Sequence, residues 1–182
     1  MRRIISTGVG LALFAIVIIG CGRPASADEN NMFSIGGRYH EKQTAFDDLP
    51  FGNGDISYPL LYSYLWQASI WQLGLDIGPD ISGRMPETGI NVDFALTPQF
   101  NLIFCDRYFR GGGGIRTSYL RGDDGEGKWL SLYWQLQLGL SFPIYKTISV
   151  DIGTYYVMEE WSKIGKFRFN DLEYGLLINY AF

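Results

Sequence analysis

Residues Leu172 to Phe182 read L-E-Y-G-L-L-I-N-Y-A-F. Leu172, Tyr174, Leu176, Ile178, Tyr180 and Phe182 share one parity, and Glu173, Gly175, Leu177, Asn179 and Ala181 share the other. A period of two belongs to a strand with one apolar face. The segment fixes the class of the fold as all-β, because the same alternation runs back through most of the chain.

The alternation is cleanest in Leu130 to Phe142. Leu130, Leu132, Trp134, Leu136, Leu138, Leu140 and Phe142 face one way, and Ser131, Tyr133, Gln135, Gln137, Gly139 and Ser141 the other. Such a strand needs apolar surroundings on one side and polar ones on the other. Strands are also expected over Asn31–His40, Ile56–Leu65, Ser69–Ile77, Asn91–Phe104, Phe109–Leu120, Ile148–Met158 and Phe167–Phe182. Parity holds through Pro98, so Asn91–Phe104 reads as one strand with a local defect. A break there would make ten strands. The phase change at Trp66–Ala68 implies a tight turn or bulge, although it holds no Gly, Pro, Asn or Asp. Short links near 66–68, 105–108 and 143–146 alternate with longer polar ones near 41–55, 78–89, 121–128 and 160–166.

Twelve Tyr, twelve Phe and five Trp accompany a mean hydropathy of zero. Many aromatics without a long apolar run fit a membrane barrel, where only alternate residues meet lipid. Tyr174, Gly175, Tyr180 and the terminal Phe182 resemble the C-terminal signal by which outer-membrane β-barrel proteins are recognised for insertion. Across the rest of the chain the likeness to small outer-membrane barrel proteins is architectural. It implies an eight-stranded antiparallel up-and-down transmembrane β-barrel, preceded by a cleaved signal peptide. Long loops would lie outside the cell and both termini in the periplasm. The implied partners are outer-membrane lipid, lipopolysaccharide and the barrel-insertion machinery.

Arg2 and Arg3 precede an apolar run from Ile4 to Gly20, and Ala25-Ser26-Ala27 follows. This is the pattern of a secretory signal peptide over residues 1–27, leaving 28–182 as the barrel domain. Ile18-Ile19-Gly20-Cys21 also resembles a lipoprotein box, with Cys21 as the lipidated residue. Residues 28–182 carry twelve Lys and Arg against nineteen Asp and Glu, a formal charge of −7. An acidic chain without a basic stripe is a poor nucleic-acid binder. Cys105 has no partner for a disulfide in that domain, no cysteine–histidine spacing suits a metal, and no cofactor motif is present. Gly111 to Gly114 lack the lysine and helix of a phosphate loop. They read instead as room for a bend or a bulky inward neighbour. Arg121-Gly122-Asp123 and the acidic run to Glu126 read as a solvated turn without calcium-loop spacing.

With the apolar rows against lipid, the inward row becomes polar. It includes Arg38, Asp93, Asn101, Arg110, Arg116, Gln135, Gln137, Asp151 and Glu173. Eight strands leave an interior about wide enough for side chains alone. A filled lumen of hydrogen bonds and ion pairs is expected, with a non-enzymatic structural or surface-interaction role. A narrow pore is one alternative. A lipid-modifying deacylase or acyltransferase is the other, since small outer-membrane barrels of those types use a histidine with a serine and an acid. His40, Asp80 and Ser82 are the candidate set here. The deacylase type carries its histidine on a late strand, whereas His40 is the single histidine of this chain.

Overall fold

The computed structural model describes residues 30–41, 51–79, 81–85, 88–166 and 168–182. The expected leader, Cys21 and Asp80 lie outside them. The strands are β1 (Asn31–Tyr39), β2 (Ile56–Trp66), β3 (Ser69–Pro79), β4 (Val92–Cys105), β5 (Phe109–Arg116), β6 (Tyr119–Gly122), β7 (Gly127–Trp129), β8 (Tyr133–Tyr145), β9 (Ile148–Met158) and β10 (Leu172–Ala181). β4 pairs with β5 along its lower half and with β6 along its upper half, so β5 and β6 form one span. β7 and β8 likewise form one span, facing β6 and β5.

The result is an eight-span antiparallel up-and-down barrel. Each span pairs with its sequence neighbour, and β1 pairs with β10 to close the circuit. Among the described residues closure leaves no long unpaired edge, which is what an all-β wall must achieve in an apolar medium. β4 runs unbroken through Pro98, opposite Leu75.

The short links turn at Gln67–Ala68, Asp106–Tyr108 and Lys146–Thr147. Gln67 takes a φ of 57°, a position where two-residue hairpins carry glycine or asparagine. The phase change in the sequence located this turn where residue type did not. Two links differ from expectation. Residues 121–128 are not a long loop: β6 and β7 continue into a hairpin that turns at Asp123–Glu126, where Gly125 supplies a φ of 85°. The last strand begins at Leu172 rather than Phe167, after 3-10 turns at Trp161–Lys166 and Phe169–Asp171.

The outer wall carries the apolar rows. Phe33, Ile35, Leu73, Leu138, Ile152, Leu176 and Ile178 are all exposed. Aliphatic residues hold the middle of the wall. Tyr39, Tyr58, Trp134 and Tyr174 lie towards the long-link end, and Tyr64, Trp66, Tyr145 and Tyr180 towards the short-turn end. No helix among the described residues is long and apolar enough to cross a membrane.

Inside, the barrel is layered. Phe51, Ile81, Met85, Val92, Ala95 and Leu120 form a buried apolar cluster at the long-link end. Ile70, Ile103 and Cys105 form another at the short-turn end. The polar layer lies between them.

Candidate functional site

The interior row of each strand delivers side chains to a common height. Arg38 comes from β1, Asp76 from β3, Gln99 and Asn101 from β4, Arg116 from β5, Gln135 from β8 and Glu173 from β10. All are buried. Arg38 Nε donates to Glu173 Oε2 at 2.6 Å, and its Nη1 donates to Gln135 Oε1 at 3.1 Å. Arg116 Nη2 donates to Asp76 Oδ2 at 2.6 Å. Gln99 Nε2 donates to the other oxygen of Asp76 at 2.7 Å. Gln135 Nε2 donates to Gln99 Oε1 at 2.7 Å and also to Asn101 Oδ1. Asn101 passes the chain to Gln72 at 3.0 Å, and Gln72 to Ser63 Oγ at 3.1 Å.

Two guanidinium groups thus meet two carboxylates. Buried charges persist when paired and hydrogen-bonded in this way. The network crosses the lumen from wall to wall, and the Arg38 guanidinium also lies 4.0 Å from the centre of the Tyr155 ring. Tyr155 has room because Gly175 sits beside it on β10: a Cβ there would stand 2.7 Å from the tyrosine ring. Gly112 performs a related service on β5, where its missing side chain lets the backbone of Leu102 and Ile103 approach.

Nearer the short turns, Arg110 Nη1 donates to Asp151 Oδ2 at 2.5 Å. With Gln137 and Tyr155 they line a pocket of about 40 Å³, water-sized rather than ligand-sized. Asp93 stands apart. β4 bulges between Val92 and Phe94, which turns Val92 into the lumen and Asp93 outward. There Asp93 accepts from Arg121 at 2.9 Å with both side chains about half exposed. One extra residue in a strand reverses the parity beyond it, so alternation alone assigned Asp93 to the interior.

His40 follows β1 and is fully buried. Its Nδ1 lies 2.8 Å from Glu173 Oε1 and its Nε2 lies 2.9 Å from Ser57 Oγ. The Phe51 ring stacks on it at 3.9 Å, nearly parallel. Ser82 does not join His40. Its Oγ donates to Asp55 Oδ1 at 2.8 Å, and its backbone N–H reaches the same carboxylate. Asp55 also accepts from the Gly52 N–H, at 2.6 Å, so it ties the first long link to the second. The histidine's partners come instead from the strands that flank β1. Ser57 faces Arg38 across the β1–β2 pairing, and Glu173 lies on β10, two residues before the partner of Arg38. The signal was available: inward residues at matching heights on neighbouring strands meet, whatever their sequence distance.

Ser57, His40 and Glu173 stand in the order hydroxyl, imidazole, carboxylate. Such an order can move a proton when the hydroxyl meets a substrate. Here Ser57 has no exposed surface, Phe51 covers the ring, and Glu173 is already committed to Arg38. As arranged, the three hold the first strand to its neighbours. No cluster of metal-binding side chains occurs among the described residues.

No family model and no curated protein matches the sequence. Solved structures do match. The crystal structure of Neisserial surface protein A superposes with a TM-score of 0.52 at 10% identity, covering 84% of this chain and 97% of that one. Ail, the attachment invasion locus protein of Yersinia pestis, covers 84% of this chain and 98% of its own at 14% identity, with a TM-score of 0.39. Its complex with the heparin analogue sucrose octasulfate gives 0.40 at the same identity. The fold is therefore that of a small eight-stranded outer-membrane β-barrel, the architecture of Neisserial surface protein A.

Proposed function

We propose that the chain is an integral outer-membrane barrel of a bacterial envelope, non-enzymatic, with its long-link end outside the cell and both termini in the periplasm. One observation carries this reading: a continuous apolar outer wall surrounds a lumen closed by paired charges and apolar plugs. A wall of alternating exposed Leu, Ile, Phe and Tyr is stable only against lipid. A lumen filled from wall to wall leaves the exposed links as the surface that can meet other molecules. The partners are outer-leaflet lipid, lipopolysaccharide and the insertion machinery.

Orientation is tested by placing a cysteine at the tip of the β6–β7 hairpin, Asp124→Cys, and labelling intact cells with a membrane-impermeant maleimide. Labelling of intact cells supports the reading. Labelling only after the outer membrane is opened contradicts it.

A second reading, a lipid acyl hydrolase, is favoured by the Ser57–His40–Glu173 geometry alone. It requires Phe51 and its link to move away. Release of fatty acid from membrane lipid by the folded protein, abolished in Ser57→Ala, would establish it. A folded barrel that releases none leaves the non-enzymatic reading in place.

A further inference from the structure

Arg110, Gly139, Gly153, Gly175 and Arg38 form a single rung of the barrel wall. Each pairs in register with the next, across β5, β8, β9, β10 and β1. All five belong to inward rows, so two long cations are separated by three residues that send no side chain into the lumen. The Tyr155 ring takes the space beside Gly175. Gly139 and Gly153 instead line the cavity of about 40 Å³ that lies nearer the short turns.

Gln137 and Asp151 line the same cavity. Asp151 Oδ2 is taken by Arg110. Among the described residues, Asp151 Oδ1 and Gln137 Nε2 have no hydrogen-bond partner, although both atoms are buried. Gln72 borders the cavity too, but both ends of its amide are committed, Nε2 to Ser63 and Oε1 to Asn101. A buried donor and a buried acceptor are costly unless each finds a partner. The partner has to accept from Gln137 and donate to Asp151. A cation would meet the Arg110 guanidinium, an anion the Asp151 carboxylate, and hydrocarbon could make neither bond. Water makes both, and the cavity has room for two or three molecules at about 10–15 Å³ each.

We infer that Gln137 and Asp151 hold an internal water site, and that the lumen is a blind half-pore, wet from the short-turn end up to the Arg38 layer and dry at that layer. Side-chain exposure falls along this path. Arg110 and Asp151 keep 18% and 11%, whereas Arg38, Asp76, Arg116 and Glu173 keep at most 2%. Arg110 pairs with Cys105, the last residue of β4, so the more exposed ion pair stands beside the Asp106–Tyr108 turn. In the layer above, Gln99, Asn101 and Gln135 bond one another, which makes protein rather than water the partner there.

The test is nuclear magnetic resonance on the protein folded in detergent micelles. Magnetisation transfer from water to the side-chain amide protons of Gln137 should be strong, and those of Gln99 and Gln135 should receive none. In heavy water the Gln137 amide should exchange at least about tenfold sooner than the other two. Gly153→Ala and Leu177→Phe each add bulk to the cavity lining, and each should weaken the transfer to Gln137. A gel run with and without boiling checks the fold of every sample, and either folded variant suffices. No transfer to Gln137 in wild type, or an undiminished transfer in a folded variant, would overturn the water site. Equal transfer to all three glutamines would show a lumen wet throughout and overturn the half-pore. Transfer abolished by molar sodium chloride would assign the site to an ion and overturn water as its ligand.

Discussion

Arg38 and Glu173 are 135 residues apart in sequence and 2.6 Å apart in the lumen. Their bond spans the seam where the first and last strands meet, with Arg38 paired in register to Gly175. Closure of the barrel and pairing of two of its buried charges are thus the same event. Removing one partner should cost about 3–5 kcal/mol, because the other charge is left buried without its counterion. Arg38→Met and Glu173→Gln should each lower the midpoint of urea unfolding in lipid vesicles. The double variant should lose less than the sum of the two. Additive losses would show that the pair is not coupled.

The outer wall makes a different demand. Leu138 lies near the middle of β8 and faces outward. Leu138→Arg should cost about 2–4 kcal/mol in a bilayer, read from the same unfolding curves. The substitution should be milder at Tyr145, beside the short turns. Equal costs at the two depths would argue against a lipid-facing wall.

Glycines separate close packing from mere flexibility. A methyl group on Gly112 would collide with the backbone of Leu102, whereas one on Gly37 would meet nothing within 4 Å. Gly112→Ala should destabilise by about 1–3 kcal/mol, the range for overpacking. Gly37→Ala should stay within ±0.5 kcal/mol or so. Similar effects in both would remove the argument that β4 and β5 approach closely at the glycine run.

The lumen should not conduct. The network from Arg38 to Asn101 and the cluster around Phe51 close it at two levels. In planar bilayers wild type should give no steady ion current. A variant that empties the middle, Arg38→Ala/Arg116→Ala, should leak. A stable wild-type current would favour the narrow pore instead.

The strands were legible in the sequence because the solvent changes from one face to the other. Each outward residue had to be apolar and most inward ones polar, so parity survived even through Pro98. Gln67–Ala68 was legible for the same reason, through its phase change. What parity could not deliver was the bulge at Val92–Phe94, where local backbone geometry turned Asp93 outward. Nor could it show that Phe51, Ile81 and Met85, within links that read as polar, fold into a buried cap. The described partners of His40 were missed by looking along the chain, to Ser82, which bonds Asp55 instead. They lay across it, on β2 and β10. In a closed barrel, height on the wall counts for more than distance in sequence.

The terminal strand admits a simple cellular check. Phe182 follows β10, its backbone N–H donating to Asn31 at 2.9 Å, and its ring stacks with Tyr180. Its deletion should lower outer-membrane levels while leaving synthesis unchanged. Unaltered levels would argue against a terminal insertion signal.

The central claim is a closed barrel that lives in lipid. Electrophoresis of the protein folded in detergent micelles, with and without boiling, tests it most directly. The account predicts a compact band that runs at a different mobility once boiled, with β-rich circular dichroism before heating. A single unshifted band from an aggregated or helical protein would contradict it.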